Sequence, residues 1–148
     1  MSDMLYKIFL ADDDEDDRML FSEALEEISL NTKLSLFKHG QELLDYLFQP
    51  NIELPNLIFL DINMPKVNGM QCLTEIRNNP RLKDLYVAMY STSSSEKDIE
   101  ESFKKGANIY INKPSCFTAL CNMVEKTLKV NWSSDTSNLN KDTFLFRI

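Results

Sequence analysis

The sequence predicts an α/β layer fold built on a mostly parallel sheet. Two observations carry that expectation. Five short apolar runs alternate with five segments whose apolar residues recur at helical spacing, and the run at 8–11, "IFLA", is set directly against six consecutive acids, Asp12 to Asp17. Such a junction marks the end of a buried strand, because a solvated acidic run needs no apolar lead-in.

Each element has its own signal. Lys7 to Ala11 reads as a buried strand, followed by a helix with Leu20, Ala24, Leu25 and Ile28 on one face. Lys33 to Phe37 alternates with the period of a strand, His39-Gly40-Gln41 makes a turn, and the next helix points Leu43, Leu44 and Leu47 inward. Asn56 to Asp61 is nearly all apolar, as a strand covered on both faces must be, and it too ends on an acid. Pro65 and Asn68-Gly69 are turn signals before a helix from about 70 to 78. Leu85 to Ser91 is the fourth strand. Ser95-Glu96-Lys97-Asp98 fits the start of a helix that carries only Ile99 and Phe103 clearly inward and stops at Gly106. Asn108 to Asn112 is the fifth strand, Lys113-Pro114 a turn, and Phe117, Leu120, Cys121, Val124 and Leu128 form the stripe of a last helix. Composition turns polar and aperiodic from Asn131. The expected domain is therefore 1–130, and residues 131–148 form a tail whose closing "TFLFRI" could add a strand, meet a second copy or fray.

The chain has 148 residues, 43% of them hydrophobic, enough for one substantial core. Its formal charge of -7 disfavours nucleic acid and anionic membrane as partners. No apolar run approaches the roughly 20 residues of a membrane helix, and "MSDMLYK" lacks the apolar core of a signal peptide, so a cytoplasmic location is expected. Cys72, Cys116 and Cys121 include no Cys-x-x-Cys pair and read as buried or half-buried free thiols.

In an open parallel sheet of order 2-1-3-4-5, ligands bind beyond the carboxyl ends of the strands, where the strand order reverses. Asp12 and Asp13 follow the first strand, Asp61 ends the third, Ser91-Thr92 the fourth, and Lys113 the fifth, so distant residues converge on one crevice. Three neighbouring carboxylates need a cation, and an oxygen-only set selects Mg²⁺ or Mn²⁺. A metal and a lysine around one aspartate suit an Asp nucleophile that accepts a phosphoryl group.

The pieces "IFLADD", "LIFLDINMPKVNG", "YSTSS" and "GANIYINKP" occur in order between Lys7 and about Lys129, and together they resemble the receiver domain of two-component response regulators. The resemblance is strongest to stand-alone receivers that serve phytochrome-like and hybrid histidine kinases. It implies a flavodoxin-like doubly wound (βα)5 sandwich. It also implies that Asp61 is the phosphoacceptor and that Asp12, Asp13, Asp61 and the backbone carbonyl of Asn63 hold the metal. Ser91 resembles the switch hydroxyl, with the Thr92 backbone beside it, Lys113 the phosphate-binding lysine, Tyr110 the aromatic whose rotamer reports the site's state, and Lys113-Pro114 the family's cis peptide. The implied partners are a histidine kinase or phosphotransfer protein and a downstream protein target, and the chain is expected to be a signalling switch and not a metabolic enzyme.

Other readings compete residue by residue. Asp14 to Asp17 suit capping of the first helix better than metal binding. His39 reads as an exposed turn residue. Asp12, Asp14, Asp16 and Glu23 mimic EF-hand spacing, but Asp17 stands where the loop needs Gly. A haloacid-dehalogenase-type phosphatase would want a second acid two residues past the nucleophile, where Asn63 stands, and a phosphorylation-independent scaffold would not need the full acidic and basic set. Ala88, Tyr90 and Tyr86 depart from the family's usual packing, and Tyr90 is a candidate to crowd the switch or share Tyr110's role.

Overall fold

Period-two alternation in the strands decides which helices cover which face. A computed structural model describes residues 5–129 and the backbone of 145–146. Strands β1 (Tyr6–Ala11), β2 (Thr32–Phe37), β3 (Leu57–Leu60), β4 (Val87–Ser91) and β5 (Ile109–Asn112) pair in parallel in the order 2-1-3-4-5. A two-residue strand β6 (Leu145–Phe146) runs parallel beside β5. The rest of the tail expected at 131–148 lies outside the described residues.

Helices α1 (Glu15–Glu27) and α5 (Phe117–Lys129) share one core layer with Ile8, Leu10, Leu57, Phe59, Ala88, Tyr90, Ile109 and Ile111. Helices α2 (Gly40–Leu47), α3 (Gly69–Arg77) and α4 (Glu96–Lys104) cover the other layer, where Phe9, Ile58, Leu60, Val87, Met89 and Tyr110 point. Tyr90 and Tyr110 thus lie in opposite layers. Ile99 is the only fully buried apolar residue of α4, with Ser102 buried beside it and Phe103 half-buried.

The caps follow local chemistry. Asp14 Oδ1 accepts from Asp17 N at 3.1 Å, Ser95 Oγ from Asp98 N at 3.1 Å, and Asn68 with Gln71 closes a capping box. His39 is half-buried, and its Nδ1 accepts from Glu42 N at 3.2 Å, so the expected exposed turn residue is the N-cap of α2. Gly106 ends α4 at φ 98°, a conformation few other residues adopt without strain. On α1 the expected stripe holds at Ala24 and Leu25, which are buried, but Leu20 is 43% exposed and Phe21 is fully buried in its place against Phe59. Phe117 and Cys116 are exposed, not inward. Both sit where α5 begins, beyond the carboxyl edge of the sheet, so no core lies beneath them.

At the opposite edge, Arg77 ties two connections together, α3–β4 and α4–β5. Its guanidinium donates to the carbonyls of Gly106 (2.8 Å), Lys83 (3.0 Å) and Leu85 (2.7 Å) and to Asn108 Oδ1 (2.8 Å), which also accepts from Val87 N. Replacing it by Ala takes this donor from the half-buried Leu85 carbonyl and breaks the charge-assisted bonds to Gly106, Lys83 and Asn108, so Arg77→Ala is expected to lower stability by about 2 kcal/mol. A lower urea midpoint at unchanged slope checks this.

Candidate functional site

The carboxyl edge of the sheet holds the polar groups because ladder hydrogen bonds continue past the strand ends. Asp12 N donates to Phe37 O at 3.1 Å, Asp61 N to Ala11 O at 3.0 Å, and Lys113 N to Ser91 O at 2.8 Å. These bonds place residues from 12 to 113 side by side. Gly69 packs directly on this edge: its N donates to Ile62 O at 2.9 Å, and a Cβ there would collide with the carbonyl oxygen of Asp61. Only glycine allows α3 to start so close to the acid.

Carboxylate oxygens of Asp12, Asp13 and Asp61 lie within 4.8 Å of one another. Asp12 is fully buried, Asp61 is 5% exposed, and Asp13 faces solvent. The Lys113 ammonium sits among the carboxylates, 2.9 Å from Asp12 Oδ2, 2.8 Å from Asp17 Oδ2 and 3.3 Å from Asp61 Oδ2. Its approach to Asp12 is an ion pair without hydrogen-bond alignment, which leaves the buried Oδ2 of Asp12 lacking a donor. Asp12 Oδ1 accepts from Asp14 N at 3.0 Å, and the Arg18 guanidinium donates to the Asp12 carbonyl at 2.7 Å.

Burial pushes the Asp61 carboxyl up to about 6; Lys113 pulls it down, and Asp12 adds to the rise. The opposed causes reflect one ammonium shared by several carboxylates. For Lys113, burial favours the neutral amine, but the hydrogen bond it donates to Asp17, the close Asp12 carboxylate and the charge of Asp61 outweigh it and hold the proton more tightly than usual. A buried anion oxygen without a donor, among three convergent carboxylates, fits a hard divalent cation. Asn63 is exposed two residues past Asp61 and donates its N–H to Asp61 Oδ1 at 3.3 Å.

Ser91 is fully buried, and its Oγ accepts from Ser93 N at 3.0 Å; Thr92 is exposed. Tyr110 is fully buried and its hydroxyl donates to Ser93 O at 2.8 Å, while Ser93 Oγ donates to Asp98 Oδ2 at 2.6 Å. Burial raises the Tyr110 phenol above its ordinary value. Tyr90 lies under the ammonium, with Lys113 Nζ 5.3 Å from its ring centre, and stacks edge-on against Phe21 and Phe59. Being in the other layer, it forms the floor of the site and does not occupy Tyr110's space.

One expectation is corrected. Every peptide bond among the described residues is trans, the Lys113–Pro114 bond included. Proline reduces the preference for trans without reversing it, and Lys113 reaches its carboxylates with the bond trans. Three participants escaped the sequence reading: Asp17 as a Lys113 partner, Arg18 on the Asp12 carbonyl, and Ser93 between Ser91, Tyr110 and Asp98. Asp17 carried a signal, its position one turn into α1 beyond Asp12, but capping explained that position equally well. No helix among the described residues is long and apolar enough to cross a membrane.

Residues 8–125 match the family described as "Response regulator receiver domain". The response regulator Rcp1 of Synechocystis sp. (strain ATCC 27184 / PCC 6803 / Kazusa) is 34% identical over 122 residues, covering 80% of this chain and 83% of that protein. The crystal structure of the phosphorylated cyanobacterial phytochrome response regulator RcpA superposes with a TM-score of 0.79 at 36% identity, over 88% of this chain and 96% of that one. The Mn²⁺-bound form of Rcp1 superposes with a TM-score of 0.75 at 30% identity, over 91% and 97%. With the strand order, the convergent acids and the lysine already in place, the extent of these matches leads to one conclusion: the chain belongs to the response regulator receiver domain family.

Proposed function

We propose that this chain works as a phosphoacceptor switch in a two-component phosphorelay, with Asp61 as the accepting side chain. The observation that carries the reading is the position of Asp61, buried 3.3 Å from the Lys113 ammonium and within 4.8 Å of the Asp12 and Asp13 carboxylate oxygens. An Asp61 Oδ attacks the phosphorus of a phosphohistidine in line; the P–N bond breaks, its electron pair returns to the imidazole nitrogen, and an aspartyl phosphate remains. Lys113 places positive charge beside the phosphoryl oxygens. Asp12, Asp13, Asp61 and the Asn63 carbonyl would hold Mg²⁺ or Mn²⁺, which when bound neutralises charge on the transferring group.

Because the carboxyl titrates near 6, Asp61 is the ionised nucleophile at neutral pH and loses that form in mild acid. Once Asp61 is modified, Ser91 turns its hydroxyl toward the phosphoryl oxygens. Ser93 connects that movement to Tyr110 and, through Asp98, to α4. The thin apolar face of α4 makes it an inexpensive element to shift, and the surface from 94 to 129 is the proposed output face toward a downstream protein. A histidine kinase or phosphotransfer protein is the proposed donor, the cytoplasm the proposed setting. Residues 1–130 are the proposed receiver unit, with 131–148 an appendage that contributes docking or a dimer contact.

Incubation with Mg²⁺ and a small acyl phosphate, followed by intact-mass measurement, tests the assignment. The native chain is expected to gain one phosphoryl group and Asp61→Asn none. A gain that persists in the variant would remove Asp61 from the role.

A further inference from the structure

Of the three carboxylate contacts of the Lys113 ammonium, the shortest is to Asp17, on the first turn of α1, and the longest is to Asp61. We propose that Asp17 is a positioning residue that holds Lys113 in the resting state and competes with the phosphoryl group for it. This inference rests on the reading of Asp61 as phosphoacceptor.

A lysine ammonium has three N–H donors, and three carboxylates already surround this one. A phosphoryl group on Asp61 sets its anionic oxygens beyond the carboxylate, so an ammonium that follows them moves off its present position and loosens one of its other two contacts. The Asp61 contact passes to the phosphoryl oxygens themselves. Asp12 is fully buried, and stranding its carboxylate is costly. The side chain of Asp17 is 33% exposed, so water replaces the ammonium there at the smallest cost. Asp17 is also held in place for the resting contact: its backbone N–H is bonded to the Asp14 cap, and the Tyr90 ring supports the lysine from below. Release of Asp17 is therefore the move that frees Lys113 to follow the phosphoryl group, and the strength of this ion pair biases the equilibrium between the two states.

The test uses the full chain with Mg²⁺ and two readouts: affinity for beryllium fluoride by titration calorimetry, and the rate of phosphorylation by acetyl phosphate from intact mass. Asp17→Asn is expected to bind beryllium fluoride more tightly and to phosphorylate faster, each by about two- to fivefold, the range that a part-exposed ion pair supports. Asp17→Ser, which suits the first turn of a helix, is expected to behave alike, and Asp17→Glu to return toward the native values. Asp16→Asn removes the same charge from the neighbouring position and is expected to change either value by less than a factor of about 1.5. Unchanged or weaker binding in both Asp17→Asn and Asp17→Ser overturns the proposal, as does an equal gain in Asp16→Asn, which would reduce the effect to general charge. If the native chain takes up neither beryllium fluoride nor phosphoryl, it is the reading of Asp61 that fails.

Discussion

Asp61→Asn is expected to stabilise the folded chain by roughly 1–3 kcal/mol near neutral pH when divalent ions are removed with chelator. Asp61 titrates near 6 in the fold against an ordinary value of 3.8, chiefly because burial disfavours its charge and Asp12 repels it, against the pull of Lys113. A folded value above the unfolded one means that the native state binds the proton more tightly. The favourable contribution is present below the unfolded value and is lost as pH rises through the folded one, so the ionised acid is a liability at neutral pH. An amide of the same shape carries none of that penalty, and it gives up only the longest of Lys113's three ion-pair contacts. Urea denaturation of the two proteins in chelator should therefore show the variant ahead near pH 7.5 and the gap closing toward about pH 4. A variant less stable than the native chain at neutral pH would show that Lys113 outweighs desolvation. The same carboxyl that a phosphoryl acceptor needs is, on this account, a cost to the fold.

Lys113→Met should produce the opposite effect, a loss of about 3 kcal/mol near pH 8 in chelator, because it strands buried carboxylates without their counter-charge. The ammonium holds its proton more tightly in the fold than in the unfolded chain: burial opposes the charge, but Asp17, Asp12 and Asp61 outweigh it. Its contribution is thus fully present below the ordinary lysine value and is lost only in strong alkali, so Lys113 does not titrate between about pH 5 and 9. The pH dependence of the variant comes from the acids it abandons. Asp61, relieved of the ammonium that lowers it, protonates more readily, and the deficit should shrink as pH falls toward about 5. Adding Asp61→Asn to Lys113→Met should recover part of the loss, since the two residues are in contact and their effects are not additive. Equal deficits at both ends of the range would mean that Lys113 matters here for packing on Tyr90 and not for charge.

What the chain's residues determine alone is the alternation of elements and the chemistry at their ends. Apolar runs that give way to Asp12, Asp61, Ser91 and Asn112-Lys113 specify strands of 4–6 residues with polar carboxyl ends, because only a strand covered on both faces needs such continuous apolarity. Capping residues Asp14, Asn68 and Ser95 are equally local, since each acts on a backbone N–H three residues away. The stripe of α1 was legible at Ala24 and Leu25, and the burial of Phe21 in place of Leu20 reflects how the aromatic ring meets Phe59 and Tyr90, partners far away in the chain. Tertiary structure decided everything that depends on partners of large sequence separation. It set Arg77 among the carbonyls of two other loops, put the rings of Tyr90 and Tyr110 in opposite layers, left Lys113–Pro114 trans, and gave Lys113 a partner 96 residues away in Asp17. The physical reason is that an acid on the first turn of a helix satisfies the helix dipole wherever that helix lies. Its second bond, to a particular ammonium, exists only once the sheet has brought the two strand ends together.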